Sequence, residues 1–221
     1  MLRVLIRYAW LFLLFPMLVS AQDNPPLFQI NKDYEIIPVT TTVVVPPKNK
    51  IQVEEFFSYG CPACYHFEPA LETWLKNKPA DVTFARIPVV FETNWDTLAR
   101  VYYTAKDLGI AEKISHDVFD AVQKQGQDLA NKTTLEQFFA AHGINQKDFN
   151  SAFNFSPGID AQLMRGDNLM RAYNIYQVPT IVVNGIYKTN PSLAHGDNTR
   201  LLQIVDYLIN LERLKQSGMK K

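Results

Sequence analysis

The chain has 221 residues, with 22 Lys and Arg balancing 22 Asp and Glu, and 47% of its residues are hydrophobic. That length fits one large domain or a domain carrying an insertion. The even charge lacks the clustered positive surface that nucleic-acid binding needs, and neither a low-complexity segment nor a repeat period is visible.

Arg3 and Arg7 form a basic start, Tyr8 to Val19 is apolar apart from Pro16, and Val19-Ser20-Ala21 has the small-residue pattern cut by signal peptidases. Residues 1–21 therefore read as a secretory signal peptide. The apolar run falls short of the ~20 residues a membrane-spanning helix needs. Cleavage after Ala21 would leave 20 Lys and Arg against 22 Asp and Glu, a net charge of about −2. Lys220-Lys221 reads as the frayed end of a helix.

Residues 22–91 read as the first part of an α/β domain. Gln22 to Asn31, with Pro25-Pro26, is a loose arm, and Tyr34–Ile37 is a short strand. Pro46 to Lys50 is a turn or loop. Ile51 to Phe57 is a buried strand rich in β-branched and aromatic residues. Ser58-Tyr59-Gly60 breaks it, and a helix opens at once, because Pro62 suits a first helical turn. Phe67, Leu71, Trp74 and Leu75 share one face of that helix, and Lys78-Pro79 ends it. Val82–Val89 is the next strand, so residues 51–89 form a strand, helix, strand unit with a right-handed crossover.

Residues 92–172 read as a helical insertion. Leu98, Val101, Tyr102, Ala105 and Leu108 share a face before Gly109; Ile114, Val118, Phe119 and Val122 repeat the pattern before Gly126. A helix from Thr134 carries Phe138 and Phe139, Phe149 and Phe153 mark a short one, and Ile159–Tyr173 follows the break at Ser156-Pro157-Gly158. Residues 173–221 resume the first domain. Thr180–Val183 is a strand, Asn184-Gly185 is a hairpin turn signal, Ile186–Lys188 is the return strand, and Asn198–Lys215 is a closing amphipathic helix. The order describes a thioredoxin-like fold with an inserted helical domain.

The two cysteines, Cys61 and Cys64, lie three positions apart after a strand and at the start of a helix. A structural disulfide is the default reading for an exported pair, but closing so short a loop removes only about 2 kcal/mol of chain entropy. In this context Cys-X-X-Cys reads as a redox motif. Cys61 sits where unpaired helix N–H groups favour an anion, so its pKa is expected below that of a free thiol, and Cys64, one turn further in, is expected to be buried and to resolve mixed disulfides. A zinc site would need four ligands, and His66, His116, His142 and His195 form no second ligand pair, so no metal is expected. His66 reads as a surface residue of the helix.

Glu55 lies in the buried strand that leads to the cysteines. It is either a charge at a solvated strand end or a buried carboxyl beneath the disulfide, with its pKa raised by desolvation and able to relay the proton of Cys64. Arg86 in the next strand is a candidate partner. Val178-Pro179 precedes a strand; such a proline is commonly trans, whereas in a thioredoxin fold a cis-proline faces the cysteines and shapes the groove for substrate backbone.

The segment Glu55-Phe56-Phe57-Ser58-Tyr59-Gly60-Cys61-Pro62-Ala63-Cys64-Tyr65-His66-Phe67-Glu68-Pro69 resembles the active-site segment of DsbA-type periplasmic disulfide oxidases. Val178-Pro179-Thr180 with Val183-Asn184-Gly185-Ile186-Tyr187 resembles their cis-proline loop and hairpin. The resemblance implies Cys61 as nucleophile, Cys64 as its partner, Glu55 as the buried acid, and Pro62, Ala63, Val178 and Pro179 as the residues that meet substrate. It further implies reduced exported proteins as substrates, reoxidation by a quinone-linked membrane protein of the DsbB type, no separate cofactor, and the periplasm of a Gram-negative bacterium. One departure stands out: many DsbA proteins carry His where this chain has Ala63, which removes a cation beside Cys61 and implies a milder oxidant. The alternatives are an isomerase or reductase on the same fold, or a binding protein with a structural disulfide. Isomerases commonly dimerise through an added domain, and the stretch from Gln22 to Lys50 is short for one, so a monomer is expected.

Overall fold

The computed structural model describes residues 27–38 and 49–218. The expected signal peptide, the Pro25-Pro26 part of the arm, most of the Pro46 to Lys50 loop and the Lys220-Lys221 end lie outside these residues. Five strands, β1 (Glu35–Ile36), β2 (Ile51–Phe57), β3 (Val82–Pro88), β4 (Thr180–Val183) and β5 (Tyr187–Thr189), form one sheet in the order β1-β5-β4-β2-β3. β2 runs parallel to β3 and antiparallel to β4, so it is interior, and the register sets Glu55 opposite Arg86 on one side and Ile181 on the other.

Side chains alternate along β2, and the two faces meet different partners. Ile51 and Val53 join Phe67, Leu71 and Trp74 of α1 (Pro62–Asn77) and Leu201, Val205 and Leu208 of α7 (Asn198–Gln216) in one core. Phe56, Ile87 and Val182 join a second core with the helices between β3 and β4. These are α2 (Trp95–Asp107), α3 (Ala111–Phe119), α4 (Lys132–Ala141), α5 (Gln146–Phe155) and α6 (Pro157–Ala172). α6 packs closely on β3: a Cβ at Gly166 would lie 3.2 Å from Cγ2 of Ile87.

Helix α1 is bounded as its sequence dictates. Cys61 is its N-cap, with extended backbone, and Pro62 occupies the first turn. Lys78 leaves the helix at ψ 143°, the extended conformation that the following proline imposes. At the hairpin, Asn184 and Gly185 have φ of 52° and 64°, as a mirror-image turn between twisted strands requires.

Several boundaries differ from the sequence reading. The return strand is Tyr187–Thr189 rather than Ile186–Lys188, because Val183 pairs with Tyr187 and leaves Ile186 in the turn, where its carbonyl accepts from Ile37 N at 2.8 Å. Helix α6 begins at Pro157, not Ile159: Ser156 closes α5 and opens α6, and the proline starts the new helix rather than prolonging the break. The repeat from Ile114 to Val122 is not one α-helix, since α3 gives way at Asp120 to a π-helical turn, Asp120–Lys124.

Candidate active site

The strand β2 and the loop Ser58–Gly60 deliver Cys61 to the start of α1. Its side chain is 7% exposed, while Cys64, one turn on, is fully buried. Both are free thiols. The Cys61 sulfur accepts from the Cys64 backbone N–H at 3.4 Å, and as a thiol it donates to the Val178 carbonyl at 3.5 Å. A hydrogen bond from the Cys64 thiol, helped by the backbone amides of Cys64 and Ala63, brings the Cys61 pKa down to about 7 against burial and the nearby Glu92 charge. Burial pushes the Cys64 thiol well up, and its bond to Cys61, the Cys61 charge and the Glu55 carboxyl push the same way. Two thiols of the same type are thus driven apart by position alone.

Pro62 and Ala63 are exposed on the rim. The Val178–Pro179 peptide bond is cis, and Pro179 is buried beneath the half-buried Val178. The approach to this bond is pinned by Thr180, whose hydroxyl donates to the Gln177 carbonyl at 2.8 Å. The structure therefore brings Cys61, Cys64, Val178 and Pro179 together, although more than a hundred residues separate them in sequence.

Glu55 is a buried carboxyl, not a solvated one: it is fully inaccessible, because β2 lies between two other strands. Arg86 is its partner, with Nε 2.9 Å from Oε2, while Oε1 of Glu55 has no hydrogen-bond partner among the described residues. Arg86 also donates from Nη2 to both oxygens of Glu68 at 2.7 Å and from Nη1 to Ser115 Oγ at 2.7 Å. Burial pushes the Glu55 carboxyl up against the pull of Arg86, with Glu68 adding to the rise. Burial works against the Arg86 charge, yet the two carboxyl groups outweigh it and hold its pKa above the ordinary arginine value.

Sequence reasoning missed the rest of this surround. Glu68 completes the buried network; its signal was the spacing from Cys64, Phe67 and Leu71, which places it on the inward stripe of α1. The π-helical turn holds both the active-site loop and the first turn of α1: Gln123 donates to the Tyr59 carbonyl at 2.7 Å, and Tyr65 donates to Asp120 at 2.8 Å. The Trp95 indole covers Gly60 so closely that a Cβ there would lie 2.3 Å from its Nε1. His66 is exposed, as the sequence indicated. Among the described residues, no group of three or more His, Cys, Asp and Glu side chains is arranged to hold a metal.

The family model of the DSBA-like thioredoxin domain matches residues 52–208 of this chain. The chain belongs to the DSBA-like thioredoxin family. It is 36% identical over 202 residues to the thiol:disulfide interchange protein DsbA of Pseudomonas syringae pv. tomato, covering 91% of this chain and 92% of that relative. It is 37% identical over 194 residues to the protein of the same name from Azotobacter vinelandii, covering 87% and 88%. Among solved structures it resembles Pseudomonas aeruginosa DsbA, with a TM-score of 0.79 at 34% identity over 86% of this chain and 97% of that one. Xylella fastidiosa DsbA gives a TM-score of 0.76 at 33% identity, over 85% and 98%. As a DsbA-like protein, the chain is a thiol:disulfide oxidoreductase of thioredoxin-like fold with a helical insertion.

Proposed function

We propose that this DsbA-like protein donates the Cys61–Cys64 disulfide to reduced proteins exported into the periplasm of a Gram-negative bacterium. A substrate thiolate attacks Sγ of Cys61; the Cys61–Cys64 bond breaks, and Cys64 leaves and takes up a proton. A second substrate thiolate then attacks the substrate sulfur of the mixed disulfide and expels Cys61 as a thiolate. The substrate gains one disulfide and the enzyme keeps two electrons. A quinone-linked membrane oxidase of the DsbB type removes them, and no other cofactor is required.

The observation that carries this reading is the placement of Cys61 as N-cap of α1, with its pKa brought down to about 7. A thiolate stabilised in the reduced protein is a good leaving group, which makes the disulfide oxidising. The supporting roles are these. Glu55, whose Oε1 is free among the described residues, relays the proton of Cys64. Val178 and the cis Pro179 receive the substrate backbone beside the sulfur, and Pro62 and Ala63 border it. Ala63 supplies no cation, which favours a milder oxidant than relatives with His there.

We further assign residues 1–21 to a signal peptide, residues 22–91 and 173–221 to the thioredoxin-like domain, and residues 92–172 to the insertion, in a protein that acts as a monomer. Among the described residues no helix is long and apolar enough to cross a membrane. The test is oxidation of a reduced two-cysteine peptide by the disulfide form. Cys61→Ser is expected to abolish it, and a retained rate ends the proposal. An isomerase or reductase on the same fold would instead show a strongly reducing glutathione equilibrium or activity confined to mispaired substrates.

A further inference from the structure

Helix α6 ends at Ala172, and the chain then runs through Tyr173 to Val178 into the cis-proline bond. Helix C-termini leave carbonyls without partners. Here the backbone N–H groups of Tyr173, Ile175 and Asn174 cap the Leu169, Met170 and Arg171 carbonyls, and the next two carbonyls, of Tyr173 and Asn174, are met by Lys188 of β5, a residue only 5% exposed. Its Nζ lies 2.8 Å from the Asn174 carbonyl, 3.2 Å from the Tyr173 carbonyl and 3.2 Å from Oε2 of Glu35 on β1. The ammonium thus donates to two carbonyls and pairs with one carboxylate, at the end of a helix where a cation is favoured. The same ammonium sits 5.2 Å from the ring of Tyr176, an exposed aromatic two residues before Val178.

An ammonium is costly to bury unless it is fully paired, and an apolar side chain would fill the same space in the sheet. What the charge adds is a hold on the backbone that precedes Val178. Beyond the two carbonyls that Lys188 holds, the segment is pinned by Thr180 on the Gln177 carbonyl and by the Cys61 thiol on the Val178 carbonyl. Asn174 takes a left-handed φ of 51° to turn out of the helix, and the 6% exposed Ile175 anchors the chain below.

We propose that Lys188 is a positioning residue for the polypeptide substrate: it fixes the Tyr173–Val178 segment so that the Val178 backbone is presented beside Cys61. The inference rests on the reading that substrate backbone lies against Val178. Lys188→Met keeps the length of the side chain and removes its donors, leaving two carbonyls unpaired and the upstream end of the segment loose. Cys61 stays held by the amides of α1. The loss therefore falls on binding of an extended chain and not on the sulfur.

The experiment compares oxidation of a reduced peptide with oxidation of glutathione, which is too small to span the segment, and titrates Cys61 by thiolate absorbance. For Lys188→Met, KM for the peptide is expected to rise about fivefold or more with kcat within about twofold, the pattern of lost binding shared by ground and transition states. Glutathione rates and the Cys61 titration are expected to be unchanged, and Lys188→Arg, which can donate to the same carbonyls, is expected to restore KM. A peptide KM within about twofold of the parent protein overturns the inference, and so does an equal loss with glutathione or a moved Cys61 titration. If Lys188→Met does not fold, Lys188→Leu, which also lacks donors, is read by the same criteria. Failure of the parent protein to oxidise the peptide at all would remove the proposed function and this inference with it; an unchanged Lys188 variant in an active protein removes this inference alone.

Discussion

Nε of Arg86 lies 2.9 Å from Oε2 of Glu55, and neither side chain reaches solvent. The pair is placed by strand register, since Glu55 of β2 stands opposite Arg86 of β3. Its second carboxyl, Glu68, comes from α1, so the guanidinium ties the active-site helix to the sheet from below. A buried charge network of this kind costs desolvation and is a weak source of net stability, but removing one member leaves the others uncompensated.

Arg86→Leu is therefore expected to destabilise the protein by about 3–5 kcal/mol, read by urea denaturation. The sign of its pH dependence follows from the carboxyl groups. Their pKa values are already raised by burial and lose the opposing pull of Arg86. A carboxyl raised in the folded state weakens folding as pH rises, so the variant's deficit should grow from acid to neutral pH. A deficit that is flat with pH contradicts the assignment.

Gly60 offers a steric test of how tightly the loop is held. Because its Cβ would lie 2.3 Å from Trp95 Nε1, Gly60→Ala must displace the indole. A loss of about 1–3 kcal/mol is expected from such overpacking, together with a changed tryptophan emission spectrum. Parental stability and emission would mean that Trp95 does not cover this position.

Ala63→His places an imidazole, a cation when protonated, between the two cysteines. A positive charge beside Cys61 is expected to lower its pKa further and to shift the glutathione equilibrium toward the reduced protein, about tenfold for each unit of pKa. Equilibration in glutathione buffers of graded ratio gives the answer directly. An unchanged or more reducing equilibrium would show that residue 63 does not set the oxidising strength here.

The stability of the reduced form should also depend on pH in a defined window. The Cys61 pKa is depressed in the folded state, so its contribution is present above the free-cysteine value of ~8.5 and is lost as pH falls through about 7. Between those values the unfolded chain binds more protons, and stability rises with pH. Cys61→Ser should remove that slope, which denaturation of the reduced parent and variant across the window can check.

Much of this site was legible because its determinants are local. The β-branched and aromatic residues of Ile51–Phe57, the proline after Cys61 and Asn184-Gly185 each specify their own backbone, and each lies where the sequence put it. Glu55 was ambiguous because its burial depends on β4 docking beside β2, a contact between residues more than a hundred positions apart. Lys188 and Gln123 were invisible for a related reason: a lysine in a short strand and a glutamine in a helix carry no sign of the distant carbonyls they meet. The π-helical turn at Asp120–Lys124 has no periodicity that separates it from an α-helix in sequence.

The start of α1 makes Cys61 an unusually stable anion in the reduced protein. Titration of the reduced protein by thiolate ultraviolet absorbance, with Cys61→Ser as the blank, tests it most directly. Half-ionisation of Cys61 is expected near pH 7; a midpoint at the ~8.5 of an ordinary free thiol would show that the helix start does not stabilise the anion.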